Sequence, residues 1–163
     1  MIEELDEIDV QILNILQENA RITNKDLAAQ LGLSVTPTFE RIKKLEKKGF
    51  ITKYVALVDH QKLDKSMIIM TSVASKEHNK DKVDKIFDKI KKLPEVMECY
   101  HVSGEYDFML KVVVKNMSEY EDFLLNKLAT MENIAHVNST FVLSTIKHKT
   151  AYQITSSEDE SKS

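Results

Sequence analysis

The chain has 163 residues, enough for one ordinary domain or two small ones and short for an enzyme with separate cofactor and substrate domains. Its 23 Lys+Arg and 26 Asp+Glu give a net charge of -3, with 42% hydrophobic and 30% charged residues, a globular mixture that excludes wholesale disorder. Three glycines and two prolines leave no material for a collagen-like chain or a P-loop, and the single Cys99 excludes an intrachain disulfide or a Cys-rich zinc site.

The first residues are acidic where a signal peptide is basic, and no apolar run approaches the length of a membrane span. A soluble cytoplasmic protein is expected, with no membrane partner. Residues 1–50 read as three short helices. Leu5, Ile8, Ile12 and Leu16 recur at helical spacing, and Leu13 and Ile15 widen the apolar face. Asn24 is placed to N-cap a second helix over 25–31, on which Leu27, Ala28 and Leu31 share a face; Gly32 ends it. A third helix begins near Ser34 or Thr36, with Pro37 in its first turn, buries Phe39, Ile42 and Leu45, and stops at Gly49.

After Gly49 the apolar period shortens toward two, the signature of strands. Residues 50–58 read as one strand or a small wing, and the polar 59–65 as a hinge. The pattern then predicts a strand over 67–73, a helix over 79–93, strands over 96–103 and 108–115, a helix over 118–131 capped by Ser118 with Glu121, and a strand over 137–146. The order β-α-β-β-α-β is the split-βαβ, ferredoxin-like arrangement, so the fold class is α+β. Two helices cover only one face of a four-stranded sheet, yet residues 67–70 and 112–114 are apolar on both faces. That predicts sheet-to-sheet dimerisation; the alternative is that the N-terminal part folds over the sheet. Residues after 154 are almost entirely Ser, Glu, Asp and Lys and read as a disordered tail.

Two motifs carry chemistry. Helix, glycine turn, helix over 24–48 is the layout of a helix-turn-helix, in which the start of the second helix meets base edges. Here that start is Ser34, Val35, Thr36, Pro37 and Thr38, followed by Arg41, which has the geometry to read guanine, and by Lys43, Lys44, Lys47 and Lys48, which suit phosphates. The alternative is a three-helix bundle with a solvated basic face. Between two strands, 103–107 reads Ser-Gly-Glu-Tyr-Asp. It is either a plain hairpin turn or a ligand loop, in which amides near Gly104 meet a carboxylate and Asp107 an ammonium, the two groups of an amino acid. Cys99 and His101 share a strand face but are too few for a metal site and sit in no electropositive setting, so they read as packing residues. No catalytic or metal-binding signature is present, and no enzyme activity or cofactor is expected.

The chain resembles the Lrp/AsnC family of feast/famine transcriptional regulators, its leucine-responsive branch most. The residues that carry the likeness run from Asp6-x-x-Asp9-x-x-Ile12-Leu13, Asn19-Ala20-Arg21-Ile22-Thr23 and Asp26-Leu27-Ala28 to Leu31-Gly32-Leu33-Ser34-x-Thr36-Pro37 and Glu40-Arg41-Ile42. They continue through Leu45-Glu46-x-x-Gly49-Phe50-Ile51 and Glu98-Cys99-x-x-Val102-Ser103-Gly104-x-Tyr106-Asp107. The resemblance implies a winged helix-turn-helix DNA-binding domain (1–53), a linker (54–65), a RAM/ACT-like βαββαβ domain that senses ligand and oligomerises (66–150), and a tail (151–163).

It further implies a sequence-specific, nucleoid-associated regulator of transcription. Such a protein binds double-stranded DNA as a homodimer assembling to an octamer, and its assembly and DNA affinity respond to leucine or a similar amino acid. Carried over by position, the DNA contacts are Asn24, Ser34, Thr36, Thr38, Arg41, Lys43, Lys44, Lys47 and Lys48. The effector contacts are Gly104, Tyr106, Asp107, Ser139, Thr140, Phe141 and Val142. Val137 and Ser139 stand where many relatives have Thr. Two rival readings remain: an amino-acid-binding subunit whose first domain docks a protein, and a nucleoid organiser with low sequence preference.

Overall fold

The computed structural model describes residues 5–77 and 79–154; most of the expected tail lies outside the described residues. The chain divides into two units, one spanning 58–146, the other joining the chain up to Leu57 with the residues from Lys147 on. The division falls inside the expected linker. Residues 147–154, expected in the sheet domain and the tail, return to the first unit.

In the first unit, α1 (Glu7–Glu18), α2 (Asn24–Leu31) and α3 (Val35–Lys47) pack around Ile12, Leu13, Leu27, Ile42 and Leu45. Asp6 caps α1 by accepting the Asp9 amide at 2.8 Å. The cap of α2 is Thr23 rather than Asn24. Thr23 Oγ1 accepts the Asp26 amide at 3.1 Å and donates to the Asp26 carboxylate at 2.7 Å, a reciprocal arrangement that Asn24 in the first turn does not offer. Gly32 adopts φ 66° and closes α2 with a left-handed residue, where any side chain is strained. On α3 the buried stripe is Thr38, Ile42 and Leu45, while Phe39, expected inside, is 39% exposed.

The expected strand or wing over 50–58 pairs with no strand among the described residues, and Val55, Leu57 and Val58 are exposed. A strand exists only where a second edge meets its N–H and C=O groups, and periodicity does not report that partner. The chain's other end supplies a different contact. Asn14 Nδ2 donates to the Ile154 carbonyl at 3.2 Å, Gln17 Nε2 donates to the Tyr152 carbonyl at 3.1 Å, and Ile154 packs on the helical core.

The second unit has β1 (Met67–Ser75), α4 (Lys80–Ile90), β2 (Val96–His101), β3 (Phe108–Val114), α5 (Met117–Asp122) and β4 (Ile134–Phe141). The sheet is antiparallel in the order β2-β3-β1-β4. The cap of α5 is Asn116, accepting the Glu119 amide at 3.0 Å, in place of Ser118. The helix then widens into a π-helical segment, Phe123–Leu128. β4 is displaced toward the N-terminus of its expected range, and its register against β1 shifts between Ala74 and Ser75.

One sheet face is fully covered: Ile69, Val73, Phe108, Leu110, Val112 and Val114 pack under the helices with Ile86, Ile90, Phe123 and Leu128. The other carries Ile68, Met70, Met109 and Val113 at alternate positions, with an ion pair between Lys111 and Glu98 at 2.8 Å. No helix among the described residues is long and apolar enough to cross a membrane.

Removing residues 151–163 deletes three hydrogen bonds to Asn14 and Gln17, among them the Tyr152 amide donating to Gln17 Oε1 at 2.7 Å, and the Ile154 contact. It is expected to lower the stability of the first unit by about 1–2 kcal/mol while leaving the sheet unit unchanged, read by urea unfolding. Unaltered unfolding of the first unit would refute a stabilising return of the chain.

Candidate DNA-binding and effector sites

Ser34 stands at the N-cap of α3, and Val35, Thr36, Phe39, Glu40, Lys43, Lys44 and Lys47 form its exposed face. Asn24 is exposed at the start of α2. Small and hydroxyl-bearing side chains thus stand at the helix start and ammonium groups along its later turns, the order in which bases and phosphates are met in a major groove. Lys43 is shared between Glu46 at 2.9 Å and the face of Phe39, 5.6 Å from the ring centre. Lys48 ends the helix.

Two of the expected DNA contacts stand elsewhere. Thr38 is 0% exposed, and its hydroxyl donates to the Ser34 carbonyl at 3.0 Å, so it braces the first turn of α3 and has no path to a base. Arg41 turns toward α1, its Nη1 2.5 Å from Asp6 and 2.7 Å from Asp9. Val35, in the stretch expected to meet bases, is exposed; sequence reasoning missed only the exposure of Phe39, an apolar side chain of the kind that meets thymine methyl groups. The signal available for Phe39 was its place beside Thr38 on a wheel with room for only one of them inside.

The loop Gly104–Asp107 lies at one end of the sheet. Gly104 takes φ 124°, a backbone conformation open to glycine. The Asp107 amide donates to the Val73 carbonyl at 2.9 Å, and its carboxylate accepts the Ser75 amide at 2.6 Å, just past the β1–β4 register shift. The Tyr106 ring meets His136 edge-on, centres 5.3 Å apart.

The β4 residues expected in the same site lie farther along. Ser139 pairs with Thr71, Thr140 with Met70 and Phe141 with Ile69, while the Val142 amide reaches the Ile68 carbonyl. Tyr120, 3% exposed, donates to Ser139 Oγ at 2.6 Å, is bonded to Thr71 Oγ1 at 2.9 Å and meets Phe141 edge-on. Ser139 and Phe141 therefore belong to the helix-covered side, and Thr140 alternates to the open one. Within a single chain the loop touches β4 at His136, while Ser139, Thr140 and Phe141 pair farther along β1. Cys99 is held above the ordinary thiol range by burial, and His101 is sandwiched with Phe87 and Phe108, so neither has the setting of a nucleophile.

An α3 face of this kind, joined to a βαββαβ unit, defines a DNA-binding regulator with a separate ligand-binding domain. Residues 5–52 match the family model for a winged helix-turn-helix DNA-binding domain, and residues 68–152 the Lrp/AsnC ligand-binding domain. The chain belongs to the Lrp/AsnC family of transcriptional regulators. It is 36% identical to the Bkd operon transcriptional regulator of Pseudomonas aeruginosa, over 91% of this chain and 97% of that one. It is 35% identical to the leucine-responsive regulatory protein of Escherichia coli K12, over 88% of each. A Neisseria meningitidis transcriptional regulator solved with L-methionine superposes with a TM-score of 0.87 at 32% identity, covering 91% of this chain and 96% of that one. Escherichia coli AsnC superposes at 0.84 with 28% identity, covering 90% and 97%.

Two carboxylates of the helical unit titrate low. Burial pushes Asp6 up, but the Asp9 amide and Arg41 outweigh it and hold it below its ordinary 3.8. The Lys43 ammonium and the Tyr54 hydroxyl hold Glu46 below 4.5. A depressed folded value adds stability that is present above the unfolded value and lost as pH falls through the folded one. The helical unit is therefore expected to weaken progressively on acidification below pH 4.5, the higher of those ordinary values. Asp6→Asn should flatten that dependence in thermal melts; an unchanged profile would remove Asp6 from the account.

Proposed function

We propose that this regulator is sequence-specific and binds DNA as a dimer or higher assembly, with an amino acid of the leucine or methionine kind as effector. The observation that carries this reading is the pairing of a polar, cationic α3 face with an effector domain whose loop is anchored at Val73 and Ser75 while Ser139, Thr140 and Phe141 pair with Thr71, Met70 and Ile69. The leucine-responsive relatives and the methionine-bound neighbour support the ligand class.

On this reading Ser34, Val35, Thr36 and Asn24 meet bases or nearby sugar-phosphate, and Lys43, Lys44, Lys47 and Lys48 neutralise phosphates. Amides around Gly104 receive the effector carboxylate, Asp107 pairs with its ammonium, and Tyr106 packs on its side chain. Ser139, Thr140, Phe141 and Val142 of another copy complete the enclosure. A site divided between copies gives the ligand a different affinity for each assembly state, and by linkage shifts assembly and DNA binding together. The apolar sheet face opposite the helices, with Met109 exposed and Ile68, Met70 and Val113 half-buried, is the surface through which two copies pair.

Mapping of bound DNA across the genome, with and without added leucine or methionine, tests the reading. Discrete sites sharing one motif, with occupancy that changes on addition, are expected; scattered, motif-free occupancy would overturn sequence specificity. Asp107→Asn keeps an acceptor for the Ser75 amide and loses the charge for the ammonium. It should remove an effector response of about 5–150-fold while DNA binding without effector persists. A full response in this variant would displace Asp107 from the effector site.

A further inference from the structure

Arg41 occupies the position in the second helix where a base-reading arginine is expected, yet its geometry is that of an inward-facing residue. It follows Thr38 by three residues and precedes Leu45 by four, and both are buried, so the helical period puts it at the edge of that stripe, with Lys44 on its solvent side, and away from Thr36 and Lys47. Its guanidinium spans two carboxylates at the start of α1. Nη1 stands 2.5 Å from Asp6 Oδ2 and 2.7 Å from Asp9 Oδ1. Asp6 is at the same time the N-cap of α1, accepting the Asp9 amide. Asp9 is only 4% exposed. Were Arg41 to swing into a groove, the Asp9 carboxylate would stay inside the helical unit without its counter-ion, a heavily penalised state.

We propose that Arg41 is a positioning residue, a strut that fixes the angle of α3 against the N-terminus of α1 and touches neither base nor phosphate. This rests on the reading of α3 as the DNA-facing helix. Both bonds leave Nη1, whose two N–H groups have fixed directions in the guanidinium plane; a lysine ammonium is a point charge on a flexible stem and holds the pair less rigidly. The strut ties the middle of α3 to α1 independently of the apolar contacts of Ile42 and Leu45 with the core.

The test uses the full-length protein and a DNA site enriched by the wild type from a random pool. That enrichment examines the DNA-facing reading by itself; the variants examine the strut. Arg41→Lys, shown to be folded by circular dichroism at the assay temperature, is expected to lose affinity about tenfold. The loss should be equal for every single-base variant of the site, with an unchanged dependence of affinity on salt. The charge-free triple variant Arg41→Met, Asp6→Asn, Asp9→Asn should give the same uniform loss, and serves where Arg41→Lys does not fold. Loss of preference at one base position would make Arg41 a reader. A log–log salt slope shallower by about 1 would make it a phosphate contact. Wild-type affinity in the folded variants would abolish the strut. Each of these three results overturns the proposal.

Discussion

Four strands and two helices leave half of a sheet without cover, and the composition of that half governs what the sheet unit does. The covered face, with Phe108, Leu110, Val112 and Val114 at 0% exposure, is a complete core by itself. The opposite face alternates Ile68, Met70, Met109 and Val113 with polar residues, around one ion pair between Glu98 and Lys111. Alternating apolar residues on a solvated face are costly unless a partner buries them, and a cross-strand ion pair there restricts the registers a partner can adopt. The proposed pairing of copies, the divided effector site and the presentation of two α3 helices to one duplex all descend from this asymmetry.

The helical unit faces a different constraint, its size. A core centred on Ile12, Leu13, Leu27, Ile42 and Leu45 is small for independent stability. The unit compensates at its margins. Three helix starts are capped or braced through Asp6, Thr23 and the Thr38–Ser34 bond, the returning chain brings Ile154 onto the core, and Arg41 links α1 with α3. These contacts leave Val35, Thr36, Phe39, Glu40 and the lysines on the outward side of α3.

Much of this was legible in the sequence, because the element order follows from hydrophobic period and the two units from the change of period after Gly49. Apolar patterning places β1, β2 and β3, and Met67–Met70 and Val112–Val114 carry apolar residues on both sheet faces. The misplacements have local causes. Thr23 and Asn116 cap helices in place of Asn24 and Ser118, since several neighbouring residues have capping side chains and only backbone geometry selects among them. The burial of Thr38 is hidden in the sequence because a hydroxyl is polar, although a threonine that bonds the carbonyl four residues back is at ease in a core. The contacts of Arg41 with Asp6 and Asp9 are not legible locally, because those partners are more than thirty residues away in the chain. The expected strand over 50–58 and the end of β4 depend on pairing partners that periodicity does not reveal.

Sedimentation of the purified full chain at micromolar concentration, alone and on DNA carrying two half-sites one helical turn of about 10 base pairs apart, tests the central claim most directly. The account predicts a dimer or larger particle in both cases, engaging both half-sites as one unit. A single subunit that occupies each half-site independently would contradict it.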